Sequence, residues 1–404
     1  MLLSLKADNF KSLCRFSIGF SPLTVLIGAN SAGKSSVLHA IDLLAHFATD
    51  NVNEFLAVHN WKPADLKSKH YSASQRNMTF SAEFLLNNHY RLRWDVTLLA
   101  KKEDVNVNCV REKIVDLNVQ RILLSRENKK LLWYDFAKNK EEEFPEIQLS
   151  GSMLALINSQ EEEFVQRFPE LTVLKSFLVG IKSFDLLTPE KIKKTSRYVT
   201  DLGIGGERLG AFLHGLNDKQ RKKINEKLKE LCPCLDKIST YKEQNGQIHM
   251  QIKERFRDNG PYFVRSDYIS DGLLRIIAII SLAALSDKCT ALLLDEIEDG
   301  INPSLAGDLI EYLNSINRDV GKQIMVITHS PVMLNYFDSD RIVFLWRHND
   351  GATYARKMFD TKEMREHLQY MNPGEVWLNM GQHELEEAML KGMTGSFTGG
   401  ENDS

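Results

Sequence analysis

The octapeptide Gly28-Ala29-Asn30-Ser31-Ala32-Gly33-Lys34-Ser35 follows G-x-x-x-x-G-K-[ST] and constrains the fold more than any other stretch of the chain. An apolar run, Leu23-Thr24-Val25-Leu26-Ile27, precedes it and reads as a buried strand. Val37, Ile41, Leu44 and Ala48 follow on one face of a helix. A turn between such a strand and such a helix curls backbone N–H groups around a concavity that suits phosphate oxygens. Gly28 and Gly33 give the backbone the freedom to do so. The helix N-terminus adds positive partial charge. Lys34 is expected to put its ammonium on the outer phosphates, and Ser35 its hydroxyl on Mg2+. Asn30, Ser31, Ala32 and Ser36 complete the expected cradle. A chance glycine-rich turn is the bland alternative; the strand before it and the helix after it argue against that.

Three further segments narrow the chemistry. Thr290-Ala291-Leu292-Leu293-Leu294 is an apolar strand that ends in Asp295 and Glu296. An acid at the exposed end of a buried strand can hold Mg2+ through its water shell, and a second acid can orient and deprotonate the attacking water. Asp295 is therefore assigned to the metal and Glu296 to the water, although taken alone the pair could equally be solvated strand-end charges. Ile324-Met325-Val326-Ile327-Thr328 runs into His329, whose ring can donate a hydrogen bond to a γ-phosphate. Tyr268-Ile269-Ser270-Asp271-Gly272 opens an apolar helix over residues 273–285, directly ahead of the acidic strand.

With these four segments in this order, the chain resembles the ABC-class ATPase heads of the SMC, RecF and OLD-nuclease group. Within that group it is similar to the stand-alone OLD-like ATPases of phage-defence systems that carry no Toprim domain. The resemblance implies an α/β, P-loop NTPase fold of ABC type with an antiparallel β subdomain, binding ATP with Mg2+. It implies a homodimer through ATP, in which Ser270 and Gly272 of one copy bind the γ-phosphate held by the other. Ile269-Ser270-Asp271-Gly272-Leu273 departs from the usual LSGGQ, but it keeps the serine, the glycine and the helix dipole. Asp299, within Ile297-Glu298-Asp299-Gly300-Ile301-Asn302-Pro303, stands where such subunits read each other. Lys11, in Asn9-Phe10-Lys11-Ser12, matches the basic residue that approaches the nucleotide, and Gln75 is the candidate for the glutamine that senses Mg2+. The resemblance also implies a separate effector protein, often a nuclease. The alternative is a DNA-repair or chromosome-maintenance ATPase that grips DNA itself. A transporter ATPase ranks last, because it would show a fuller signature and a shorter chain.

Hydrophobic periodicity orders the rest. Alternation over residues 78–84 and 90–98 around Asn87-Asn88 predicts a hairpin, and residues 105–117 and 121–136 repeat the pattern around Glu127-Asn128-Lys129-Lys130. Helical spacing begins near Glu141, and Asn245-Gly246 marks a later hairpin. The expected organisation is a discontinuous nucleotide-binding head at 1–143 and 236–370. A mainly helical insert occupies 144–235, and a C-terminal segment at 371–404 ends in a disordered tail. Asp338, Asp340 and Asp350 lie in loop-like sequence, and 75 residues follow His329. No Toprim nuclease is expected in so short a remainder. The run Met371-Asn372-Pro373-Gly374-Glu375-Val376-Trp377 resembles the end of stand-alone ATPases of this group.

Composition excludes several classes. A net charge of −3 over 404 residues gives no global basic field for nucleic acid. Two local stretches, Lys191, Lys193, Lys194 and Arg197, then Lys219, Arg221, Lys222 and Lys223, can track a phosphate backbone or form a solvated helix face; DNA contact stays open there. Cys232-Pro233-Cys234 has no second Cys or His pair at ligand spacing, so the five cysteines read as free thiols. Residues 273–285 are too few to span a bilayer and contain Arg275, and the start lacks a signal-peptide pattern. The expectation is a cytoplasmic protein with no membrane association.

Overall fold

The computed structural model describes residues 1–71, 77–100, 106–127, 130–144, 151–184, 189–197, 206–255, 260–285 and 289–391. The chain forms two compact units, one of Met1–Ile181 with Phe337–Ser404 and one of Lys182–Tyr336. The segment expected as an insert, 144–235, is divided between them and holds mainly short helices, among them Pro169–Val179 and Asp218–Leu231.

The first unit is built on an eight-stranded antiparallel sheet. Its order is Phe16–Gly19, Leu2–Asp8, Asn77–Leu86, Tyr90–Leu99, Asn108–Asp116, Arg121–Glu127, Lys130–Asp135 and Lys140–Phe144. Met78, Phe80, Ala82, Phe84 and Leu86 all turn inward, so the period-two pattern fixes which face is core. Asn87 and Asn88 both adopt positive φ, a conformation asparagine tolerates, and close the hairpin in the register Leu86↔Tyr90. Glu127 pairs with Lys130 in the next hairpin, whose residues 128–129 lie outside the described set. The helix Lys34–Phe47 brings Phe47 to 6.1 Å from the Trp94 ring, and the helix Pro169–Val179 sets Phe177 edge-on to Phe84. Strand character persists to Phe144, past the point where the sequence turns helical in spacing. Lys140–Phe144 is a polar edge strand held by ion pairs: Glu142 meets Lys138 at 2.7 Å and Arg167 at 3.2 Å.

This unit also contains a parallel pair, Leu23–Ile27 with Ile342–Arg347, extended antiparallel by Thr353–Lys357. The five residues of Leu23–Ile27 are all buried, as their unbroken apolar run requires. C-terminal helices Pro373–Asn379 and Gln382–Lys391 follow, the latter tied by a 2.8 Å bond from Arg356 to the Met389 carbonyl. The expected tail, residues 394–404, lies outside the described residues.

The second unit joins a three-stranded antiparallel sheet, Leu235–Lys242, Ile248–Glu254 and Tyr262–Arg265, to a β-α-β segment. Its first hairpin turns at Gly246, φ 87°. In the β-α-β segment, Ala291–Leu294 pairs in parallel with Gln323–Ile327, and the helix Ala306–Val320 crosses between them. The apolar helix Asp271–Leu285 precedes the first of these strands. No helix among the described residues is long and apolar enough to cross a membrane.

Candidate functional site

The expected site residues fall into two groups, one in each unit. In the first, the buried strand Leu23–Ile27 delivers the loop 28–33 to the start of the helix Lys34–Phe47. Gly28 has φ 143°, and a Cβ there would overlap the Leu345 carbonyl oxygen. Gly33 has φ 99°, and a Cβ would collide with the Thr353 hydroxyl and lie 2.7 Å from Ser12 Oγ. Both positions therefore require glycine twice over, for backbone conformation and for space. Gly33 caps the helix without a side-chain hydrogen bond, so no side chain competes for the first-turn N–H groups. Ser31 also has positive φ, 65°, while Asn30 and Ser31 are exposed and Ala32 is buried. Lys34 is buried, and its Nζ donates to the carbonyls of Gly28 at 3.0 Å and Ala29 at 2.9 Å. The ammonium is thus already folded over the loop. Ser35 is half-buried, and Ser36 Oγ accepts from Ser12 Oγ at 3.3 Å.

Lys11 stands in a tight turn, at φ 48°, beside the fully buried Phe10. Its Nζ lies 3.1 Å from the centre of the Trp61 ring and 3.2 Å from His39 Nδ1. With Ser12, Trp61, Asp65, Lys67, Lys69, His70 and Arg347 it lines a cavity of about 270 Å3 in which lysines and an arginine outnumber the one carboxylate. Gln75 lies outside the described residues.

In the second unit, the wholly buried Ala291–Leu294 runs out into half-buried Asp295 and exposed Glu296. Glu296 sits at φ 46°, a left-handed conformation that costs a non-glycine residue about 1–2 kcal/mol. The loop beyond it is fastened on both sides. Ile297 N–H donates to the Ile327 carbonyl at 3.3 Å, and the Glu298 carboxylate accepts the backbone N–H of half-buried His329. On the other side, Arg275 donates to the Asp299 carbonyl and carboxylate, both at 3.1 Å. Gly300 packs so closely on Gly272 that a Cβ on Gly272 would overlap its carbonyl oxygen. Ser270 is exposed immediately before the helix Asp271–Leu285, and its carbonyl accepts from Leu274 N–H at 3.0 Å.

Ser12, Thr353, Arg275 and Glu298 contact the expected residues without being candidates from sequence. Arg275 had the clearest signal, a guanidinium inside an apolar helix that must find an acceptor. The basic stretches are partly engaged within the unit: Lys193 bonds Asp271 at 3.0 Å and Lys222 meets Glu226 at 3.7 Å. Half-buried Asp295 in the second unit and half-buried Ser35 in the first each offer the kind of oxygen, carboxylate or hydroxyl, that a hard cation such as Mg2+ takes.

The model of a family described as AAA ATPase domain matches residues 1–334. Among solved structures, an Smc head bound to the C-winged helix domain of ScpA is similar at 15% identity and a TM-score of 0.57, covering 88% of this chain and 97% of that one. An Smc head with an extended coiled coil from Pyrococcus furiosus, bound to the C-terminal domain of ScpA, matches at 12% identity and a TM-score of 0.53, covering 91% and 99%. An Smc head with coiled coil and joint from Pyrococcus yayanosii matches at 13% identity and a TM-score of 0.51, covering 96% and 99%. No curated protein matches the chain. The fold is accordingly the α/β, ABC-type P-loop fold of SMC heads.

Proposed function

Because the chain belongs to the AAA ATPase domain family, we propose that two copies close around ATP, hydrolyse it, and so control a separate effector protein. One copy supplies the glycine-rich loop with Lys34 and Ser35, together with Asp295, Glu296 and His329. The facing copy supplies Ser270 and the N-terminus of the helix that Gly272 seats. The observation that carries this reading is the exposure of Ser270 immediately before the helix Asp271–Leu285. Such a helix start presents N–H groups and positive partial charge outward, to an anion that its own chain need not hold.

The Glu296 carboxylate takes a proton from water as the water oxygen bonds the γ-phosphorus; the bond to the β,γ-bridging oxygen breaks, leaving ADP and phosphate. Ser35 and Asp295 would hold Mg2+, Asp295 through the ion's water shell, and the ion would supply charge neutralisation on the phosphates. Lys34 and the loop N–H groups hold the phosphates in line, and His329 hydrogen-bonds the γ-phosphate. Two incomplete halves that need each other make ATP a clamp and hydrolysis its release.

The effector is proposed to be a nuclease acting in anti-phage defence, with both proteins in the cytoplasm. Support comes from the similar Smc heads, two of which hold a domain of ScpA, so a head of this shape can receive a separate protein. Direct DNA binding has less support, because Lys193 and Lys222 pair with acids of their own unit.

The test is light scattering on Glu296→Gln with ATP and Mg2+. The expected species has twice the 46.2 kDa chain mass, while the parent reverts to single chains as ATP is consumed. A variant that stays single, or that hydrolyses ATP like the parent, would refute the reading.

A further inference from the structure

We propose that Arg275 is a positioning residue for ATP hydrolysis, tying the exposed Ser270 turn to the loop that carries Glu296. The inference rests on the nucleotide-sandwich reading and adds to it a route by which engagement of Ser270 reaches the carboxylate of the same chain.

Arg275 is the single basic side chain of the helix Asp271–Leu285, between the fully buried Leu274 and the almost fully buried Ile276. Its side chain is only 17% exposed. A guanidinium so placed needs acceptors, and it has two on one residue, the carbonyl and the carboxylate of Asp299, each at 3.1 Å. One turn earlier on the same helix, Gly272 leaves no room between itself and the Gly300 carbonyl. The helix start and the loop are therefore joined at two neighbouring points, one polar and one by backbone packing. Asp299 N–H in turn donates to the Glu296 carbonyl at 3.1 Å, and Glu298 accepts the N–H of His329.

A push on Ser270 moves the first helical turn. Arg275 and the Gly272–Gly300 contact carry that movement to residues 298–300, and the Asp299–Glu296 bond carries it to the base of the Glu296 side chain. Glu296 is held in a left-handed conformation that its surroundings must enforce, so it responds to loosening of this loop. Arg275 acts through Asp299, which takes both of the hydrogen bonds its guanidinium donates there.

The experiment uses the full chain and the variants Arg275→Ala, Asp299→Ala and the double variant. Amide hydrogen exchange over residues 296–301 is measured without nucleotide, and kcat and KM for ATP are measured alongside. Both single variants should exchange about tenfold faster there. Their kcat should fall about 10- to 100-fold with KM within about twofold of the parent. The double variant should be no slower than the worse single one, because both substitutions break one link. Asp299 is 56% exposed, so Asp299→Ala remains informative should Arg275→Ala fail to fold. Parental exchange and kcat in Asp299→Ala, or losses that multiply in the double variant, overturn the proposal. If the parent itself hydrolyses no ATP, the nucleotide reading falls and this proposal with it; active variants beside an active parent refute Arg275 alone.

Discussion

Replacing Gly272 by alanine would drive a Cβ into the carbonyl oxygen of Gly300, to 2.7 Å from its carbon and 3.3 Å from Ile301 Cα. Those neighbours are backbone and cannot rotate aside. Carbon atoms rest at about 3.5–4.0 Å, so the loop must retreat by about 1 Å. Overpacking of this kind costs about 1–3 kcal/mol. For a unit of this size each kcal/mol lowers Tm by about 2–4 °C. A 1 Å displacement of the loop bearing Glu296 should lower kcat by about 100-fold. Thermal unfolding and steady-state phosphate release measure the two effects on one preparation. Gly260→Ala is the control, because a Cβ there meets nothing within 4 Å, and its Tm should match or slightly exceed that of the parent. A Gly272→Ala protein with the parental Tm and kcat would refute the claim that helix and loop are locked together.

Burial pulls the His46 imidazole down, but the Asp42 carboxylate at 3.2 Å outweighs it and holds the ring above its ordinary value of 6.5. A folded-state pKa that is raised gives stability that is complete below 6.5 and lost as pH rises through the folded value. Urea unfolding across about pH 6 to 9 should therefore show a decline in the parent and a flatter profile in Asp42→Asn; equal slopes would contradict the pairing. Glu112 is buried and accepts from Trp94 Nε1 at 3.0 Å, from Met153 N–H at 2.7 Å and from the Ser152 hydroxyl. Glu112→Ala strands those donors and should cost about 2–5 kcal/mol in denaturant unfolding, with Glu112→Gln milder; a loss below about 1 kcal/mol would count against it. Chelating Mg2+ should stop turnover, and Asp295→Asn should lower kcat by about 100-fold or more. Parental turnover in that variant would remove Asp295 from the metal site.

Legibility in the sequence followed how local each physical demand is. The strand Asn77–Leu86 shows itself because one face is core and the other is not, which the alternation of Met78, Phe80, Ala82 and Phe84 displays directly. Gly28 and Gly33 stand out because the loop tolerates no Cβ, and spacing alone conveys that. Lys140–Phe144 is hidden, since a polar edge strand fastened by Lys138 and Arg167 has no apolar period to read. Contacts between distant residues are hidden for a different reason. Arg275 reaches Asp299 across 24 positions, Glu298 reaches the His329 amide across 31, and Thr353 reaches Ser12 across 341. Each is a tertiary pairing in which one partner is an ordinary polar residue, and only the half-buried arginine of an apolar helix announces that it needs one.

Mixing two inactive variants tests the shared site most directly. Lys34→Ala removes the phosphate-holding charge and Ser270→Arg blocks the helix end, so each homodimer lacks a complete site. In a mixed pair, the intact loop of the Ser270→Arg copy faces the intact turn of the Lys34→Ala copy. An equimolar mixture should recover about a quarter of the parental ATPase rate, half the pairs carrying one good site of two. No recovery at any mixing ratio, or full activity in Ser270→Arg alone, would show that a single copy does not borrow its neighbour's serine.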